Sequence, residues 1–197
     1  MKKMKPVNSI INCPFTFFQE FLRHPLQIGS IIPSSRFLER RIVEVSAIAS
    51  ATTIVELGSG TGGTTQAILR AMPPHAKLLS IEINPHFHTL VSSLEDNRLI
   101  AHLGNASGLK EIISMYGLGA PEAIISGIPF STMNHSEGSQ VIEAISSLLA
   151  PNGCFVAYQL NKRVSSLCRP FLGTGQIKIE LLNIPPMLVY KWMKNSA

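Results

Sequence analysis

A short apolar run, Thr53-Ile54-Val55-Glu56-Leu57, breaks off into Gly58-Ser59-Gly60-Thr61-Gly62-Gly63, and no other feature constrains the fold as tightly. A run of this length rich in β-branched residues and closed by glycine reads as a buried strand. Glycines permit the sharp turn from strand to helix and let backbone amides approach a ligand. The start of the following helix, over 64–71, adds positive potential. Gly58, Gly60 and Gly63 satisfy the dinucleotide spacing GxGxxG, so the glycines alone leave the ligand open. Glu82 ends the next apolar run, KLLSIEI (77–83), 20 positions after Gly62. A carboxylate there can accept two hydrogen bonds from a ribose diol.

The rest of the chain continues this alternation. A helix is expected over about 86–95, a weak strand over Ile100–Leu103 and a strand over 122–126. A helix over roughly 138–149 follows, then the turn Pro151-Asn152-Gly153 into the strand CFVAYQL. A helical stretch over 161–168 precedes two strands, IKIELLNI and MLVYKWM, which meet across Pro185-Pro186 in a tight turn. Strands separated by helices argue for an α/β fold with a mostly parallel sheet buried on both faces, here with an antiparallel hairpin at its edge. Ahead of this, residues 14–24 place Phe15, Phe18 and Leu22 at helical spacing, and Pro25 ends the segment. After an apolar loop, Leu38, Ile42, Val45 and Ala49 are spaced as the buried face of a helix, with Ser34 or Ser35 as its cap. The expected organisation is an N-terminal helical segment, 1–50, and a ligand-binding domain, 51–197.

Composition narrows the class. Of 197 residues, 45% are hydrophobic, enough for a sizeable core and against a disordered or fibrous chain. No apolar run reaches the roughly 18 residues of a membrane-spanning helix, and no secretory signal is read. Cys13, Cys154 and Cys168 are odd in number and widely spaced, so no disulfide framework and no metal pair is expected; a reducing, cytoplasmic setting fits. His86 and His88 read as a solvated pair, His135 as a loop residue, and no metal is expected. A net charge of +5 favours anionic partners, nucleic acid or acidic lipid.

Glu56 precedes the first glycine by two positions. An acid there suits a ligand carrying an ammonium and a sulfonium, and suits a pyrophosphate poorly. A dehydrogenase would also need a substrate domain, for which the pattern leaves no room. The run VELGSGTG resembles motif I of the class I S-adenosylmethionine-dependent methyltransferases, over about residues 50–197. The resemblance implies a Rossmann-like, mostly parallel seven-stranded sheet ending in an antiparallel hairpin, with S-adenosylmethionine as cofactor. It implies cofactor contacts at Glu56, Gly58, Ser59, Gly60, Thr61, Gly62, Glu82, Ile83 and Ser126. Asn105 and Ala106 would lie beside the adenine, Asn105 standing where that family usually has Asp.

The residues after the fourth strand of such a fold face the transferred methyl; here they are Ser126-Gly127-Ile128-Pro129-Phe130. This segment resembles that of adenine-N6 methyltransferases, except that Gly127 stands in place of the Asn whose carbonyl accepts from the adenine amine. Gly127, Ile128, Pro129 and Phe130 are the candidate acceptor contacts, with Pro129 and Phe130 as an apolar wall. HPLQIGSIIPSSRFLERRI, the motif I run, SGIPFSTM and NIPPMLVYKW together look like bacterial phospholipid N-methyltransferases. That resemblance implies methylation of the phosphatidylethanolamine head-group amine and its partly methylated products. It also implies that Ile28 to Ile32 close over the cofactor from the N-terminal side, with Ile28, Gly29 and Ser30 as cofactor contacts. Tyr158, at the end of the fifth strand, is the candidate catalytic residue, orienting the amine. Lys2, Lys3 and Lys5 with Phe15, Phe18 and Leu22 form a candidate contact with an anionic membrane, at the inner face of the cell membrane, or a lid over the cofactor. Nucleic acid is the less favoured partner because of Gly127. An rRNA adenine-N6 type methyltransferase and a cofactor-binding module without turnover remain as alternatives.

Overall fold

Strand β1 (Thr53–Leu57) is buried at every position, as a strand covered on both faces must be. In this computed structural model, which describes residues 34–195, it lies third in a seven-stranded sheet of order β3-β2-β1-β4-β5-β7-β6. The others are β2 (Lys77–Glu82), β3 (Leu99–Leu103), β4 (Ala123–Ser126), β5 (Cys154–Gln159), β6 (Gln176–Glu180) and β7 (Met187–Met193). β1 to β5 are mutually parallel, and β7 runs antiparallel to both neighbours. The chain builds outward from β1 through β2 to β3, then returns to place β4 on the other side of β1. Strand order therefore reverses between β1 and β4, and loops leaving those two strands diverge, which opens the place where such sheets bind ligands.

Helix α1 (Arg36–Ser46) is capped by Ser35, whose hydroxyl accepts from the Leu38 amide, and it buries Leu38, Ile42 and Val45. Ala47, at φ 51°, ends it in a left-handed conformation. That break turns Ile48 into the core and leaves Ala49 exposed, so Ile48 takes the place that helical spacing gave to Ala49. The compact unit begins at Pro33, so α1 packs as part of it. Five more helices follow: α2 (Gly63–Ala71), α3 (Pro85–Ser92), α4 (Leu109–Met115), α5 (His135–Leu148) and α6 (Arg163–Leu172). On one face of the sheet, Leu38, Ile42, Ile68 and Leu69 of α1 and α2 pack on Ile54, Leu78, Ile125 and Val156. On the other, α4, α5 and α6 cover Val55, Leu57, Ile124, Phe155, Tyr190 and Trp192. There Phe155 and Tyr190 both stack on Trp192, at 5.4 and 5.5 Å between centroids.

Two elements depart from expectation. Helix α4, absent from the sequence reading, buries Leu109, Ile112 and Ile113 on one side of only seven residues. β6 stops at Glu180, opposite Met187, so a six-residue connection, 181–186, replaces the tight turn expected at the prolines. Among the described residues, no helix is long and apolar enough to cross a membrane. The helix expected over 14–24, the candidate membrane residues Lys2, Lys3, Lys5, Phe15, Phe18 and Leu22, and the candidate cofactor residues Ile28, Gly29 and Ser30 lie outside the described residues.

Candidate active site

The glycine loop leaves β1 at its carboxyl end. Gly58 continues the strand ladder, its amide donating to the Ile81 carbonyl at 2.8 Å. At φ +76° it already disfavours any L side chain, and a Cβ there would stand 2.8 Å from Ile128 Cγ2, so the loop and the segment 126–130 after β4 touch backbone to side chain. Gly62, at φ +86°, is the cap residue from which α2 starts.

Glu82 locks this loop to the neighbouring strand. Its Oε2 accepts from the Gly60 amide and its Oε1 from the Asn84 amide, each at 2.9 Å. A carboxylate offers about four acceptor sites, so each oxygen keeps one for a ligand hydroxyl. Asn84 was not singled out from sequence. It also caps α3 by accepting from the His86 amide at 2.9 Å, an Asn-Pro helix start that was legible. Ile83, just beyond Glu82, is 66% exposed, and Leu103 at the end of the adjacent strand is also exposed. Asn105 is exposed and its carbonyl accepts from the Ser107 amide at 3.0 Å, while Ala106 is buried. That oxygen caps the chain's own turn and has one lone pair left for a ligand donor.

Glu56 is fully buried beneath the loop. Its Oε2 accepts from Thr65 Oγ1 at 2.6 Å and from Ser80 Oγ at 2.9 Å, while Oε1 has no partner. Burial pushes the carboxyl up to about 7; the two hydroxyls pull it back, and the Glu82 charge adds a smaller push. Ser59 Oγ, in the loop itself, is buried and also unpartnered. A third acid arrives from α1: Glu39 sets a carboxylate oxygen against Gly63, with Arg70 4.0 Å away. Burial raises its pKa, and Arg70 opposes the shift.

Tyr158 stands half-buried on β5. The β4–β5 register pairs Ser126 with Ala157, which brings Gly127 beside Tyr158. The tyrosine hydroxyl fills the space a Cβ on Gly127 would need, and the Gly58 carbonyl closes that space at 2.9 Å. Burial, then the charges of Glu56, Glu82 and Glu39, push the phenol above its ordinary value, with the Thr64 hydroxyl acting against them. The phenol is therefore neutral.

In the segment 126–130, the Gly127 amide donates to the Leu57 carbonyl at 2.8 Å, and buried Ser126 accepts the Ile128 amide on its hydroxyl at 3.4 Å. Gln159, missed from sequence, is buried and donates from Nε2 to the Ile128 carbonyl at 2.8 Å, tying β5 to this segment. Only its place at a strand end could have signalled it. Phe130 differs from expectation. It is fully buried in the core, edge-on to Phe155 at 6.5 Å, because the chain turns inward after Pro129. The partly exposed residues of the segment are Gly127, Ile128 and Pro129. Thr61 is half-buried in the loop. His86 and His135 are exposed and His88 is half-buried; His135 opens α5 instead of lying in a loop, and among the described residues no cluster of His, Cys, Asp and Glu could hold a metal ion. Cys154 and Cys168 are buried free thiols, and burial raises the pKa of both.

A glycine loop over the third strand, an acid at the end of the second, a reversal of order beside β1 and one antiparallel strand next to the edge decide the architecture. The fold is that of the class I methyltransferases. S-adenosylmethionine is the cofactor of that class. N-methyltransferase NodS from Bradyrhizobium japonicum matches with a TM-score of 0.65 at 12% identity, over 80% of this chain and 94% of that one. The O-methyltransferase TomG from Streptomyces achromogenes, in complex with SAM, matches with a TM-score of 0.68 at 13% identity, over 95% of this chain and 92% of that one. No family profile matches the chain. In sequence it resembles a lipid N-methyltransferase: the ornithine lipid N-methyltransferase of Singulisphaera acidiphila is 29% identical over 179 residues, 89% of this chain and 93% of that one.

Proposed function

We propose that this protein transfers a methyl group from S-adenosylmethionine to the amine of a polar lipid head group. One observation carries the cofactor: Glu56, buried under a glycine loop with an unpartnered oxygen, leaves an acidic group with an unmet hydrogen bond, which a cationic ligand would draw into its ionised form. The buried, unpartnered Ser59 hydroxyl in the loop is a second polar group with an unmet hydrogen bond. A pyrophosphate would meet repulsion from Glu39, Glu56 and Glu82, whereas a ligand bearing an ammonium and a sulfonium would meet attraction. The residues present therefore fit S-adenosylmethionine. Glu82 would take the ribose hydroxyls, Gly58, Ser59, Gly60, Thr61 and Gly62 the amino-acid end with Glu56. Ile83, Asn105 and Ala106 would flank the adenine, and Ser126 the sulfur side.

When bound, the cofactor supplies a methyl group on a positively charged sulfur, open to in-line attack by a neutral amine. The chain's own work is positioning and the exclusion of water. Gly127, Ile128 and Pro129 form the acceptor edge. The Tyr158 oxygen can accept an amine N–H and so aim the nitrogen lone pair. Being neutral, the phenol adds no charge that would hold the amine in its unreactive ammonium form.

Phosphatidylethanolamine and its partly methylated products are the first candidate acceptors, and an ornithine lipid, the substrate named for the relative, is the second. Both present an amine on a lipid. The crowding of Gly127 by Tyr158 disfavours the adenine-N6 alternative, since the space for an Asn side chain is filled. The lysines and phenylalanines of residues 1–24 support work at the anionic inner face of the cell membrane. Labelled S-adenosylmethionine offered in parallel to phosphatidylethanolamine vesicles, ornithine lipid vesicles and ribosomal RNA tests the reading. Label in a lipid amine is expected, and label confined to RNA would overturn it.

A further inference from the structure

Because β7 runs against β5, with Gln159 opposite Leu188 and Cys154 opposite Met193, the connection that precedes β7 lies where the parallel strands end. The glycine loop and the acceptor segment leave the sheet at that same edge. At the tip of the β6–β7 hairpin, Leu181, Leu182 and Ile184 are 70, 61 and 75% exposed, followed by exposed Pro185 and Pro186. Ile177 and Ile179, both exposed, continue the apolar surface down the edge strand. A contiguous apolar surface of this kind marks an interaction site.

The tip is held in this shape by buried polar groups. Asn183, between Leu182 and Ile184, is buried; its Oδ1 accepts from the Ser35 amide at 2.9 Å and its Nδ2 donates to the Pro185 carbonyl at 2.8 Å. Glu180, also buried, accepts the Leu182 amide at 3.1 Å on Oε1 and Arg41 Nε at 3.3 Å on Oε2. The fold thus uses its polar side chains to fix the loop and turns its leucines and isoleucine outward. Arg36, at the start of α1 beside the Ser35–Asn183 bond, Lys178 on β6 and Lys162 before α6 are exposed, and none has a carboxylate partner among the described residues.

We propose that this hairpin tip docks the protein on an anionic lipid bilayer. Its apolar side chains enter the acyl boundary, and Arg36, Lys162 and Lys178 face lipid phosphates, so the acceptor segment on the same edge meets the head groups. The inference rests on the lipid reading above and adds to it the surface that meets the membrane. Exposed apolar side chains with Arg36 beside them, and Lys178 on the opposite face of the same hairpin, complement such a surface on both counts.

The test compares wild type with Leu182→Ser/Ile184→Ser, which leaves Asn183 and the site untouched. Flotation with vesicles of equal parts phosphatidylethanolamine and phosphatidylglycerol should show roughly tenfold or greater loss of binding in the variant. Calorimetry should show unchanged affinity for S-adenosylmethionine, and transfer to monomeric dihexanoyl-phosphatidylethanolamine should be unchanged while transfer to vesicles falls. Equal flotation of the two proteins would overturn the docking surface. So would a wild-type dimer that the variant dissolves with vesicle binding unaltered, which would make the tip a contact between copies. If vesicle binding depends on the tip but no lipid gains label, the docking surface stands and the proposed reaction fails.

Discussion

Replacing Glu56 by Gln keeps the shape of the side chain and its acceptance of the Thr65 and Ser80 hydroxyls, and removes only the charge. In the free protein the Glu56 carboxyl sits at about 7 against an ordinary 4.5, raised by burial. It is therefore ionised to about one-tenth at pH 6 and about nine-tenths at pH 8. A cationic ligand that needs the carboxylate must expel the proton first. The affinity of wild type relative to Glu56→Gln should thus rise roughly tenfold from pH 6 to pH 8. Titration of the ligand's own amino group is common to both proteins and drops out of the ratio. Calorimetry at pH 6 in buffers of differing ionisation enthalpy should show wild type releasing up to about nine-tenths of a proton more than the variant.

Stability moves the opposite way. The folded state holds the Glu56 proton more tightly than the unfolded chain, so this group's stabilising contribution is complete below pH 4.5 and is lost as pH rises through about 7. The span is on the order of 3 kcal/mol, and above it the buried charge is a constant burden that a bound cation relieves. Denaturant unfolding without ligand should show this decline in wild type and a flatter profile in Glu56→Gln. Parallel pH profiles for the two proteins, in binding and in stability, would refute the reasoning.

Glu82→Ala removes both the proposed ribose acceptor and the anchor of the Gly60 and Asn84 amides, so affinity for S-adenosylmethionine should fall by one to two powers of ten; unchanged calorimetric affinity would refute that role. Gly127→Ala forces a Cβ against the Tyr158 hydroxyl, and methyl transfer should drop while much of the cofactor affinity remains. Adding Tyr158→Phe should recover only part of the stability lost by overpacking, on the order of 1 kcal/mol, because the ring carbon and the Gly58 carbonyl still crowd the new Cβ, and it should not recover full transfer if the phenol oxygen orients the amine as proposed. Additive stability losses in the double variant would show that the two residues do not share that space.

The parts of this molecule that sequence made legible are those whose signal is local. The strand into Gly58, the acid at the end of the next strand and the terminal pair of strands each occupy a few consecutive residues and obey a fixed period. Helix α4 escaped because seven residues give periodicity too little length to separate it from a loop. Ala49 was misplaced because one left-handed residue, Ala47, ends the helix and resets the phase, and no glycine or proline announces it. Phe130 read as a wall because its number of positions from the strand was known and its direction was not. The contact between Gly127 and Tyr158 needs the pairing of β4 with β5, and the approach of Glu39 to Gly63 needs α1 to lie over α2. Strand order and helix packing are properties of the whole sheet, so these neighbours became visible only once it was assembled.

The net charge of +5 points toward anionic partners, yet the site itself gathers Glu39, Glu56 and Glu82. Both facts hold because the signs are sorted by depth. The acids are buried or nearly so, and Arg36, Lys162 and Lys178 stand in solvent. Salt distinguishes the two populations, since screening reaches about 10 Å at 0.1 M and about 3 Å at 1 M for charges in water and acts weakly on buried ones. Raising salt from 0.1 to 1 M should therefore strip the protein from anionic vesicles while changing its affinity for S-adenosylmethionine by no more than about twofold. A parallel fall in both would mean that the cofactor is held by exposed charges, and that Glu56 is a structural residue of the core.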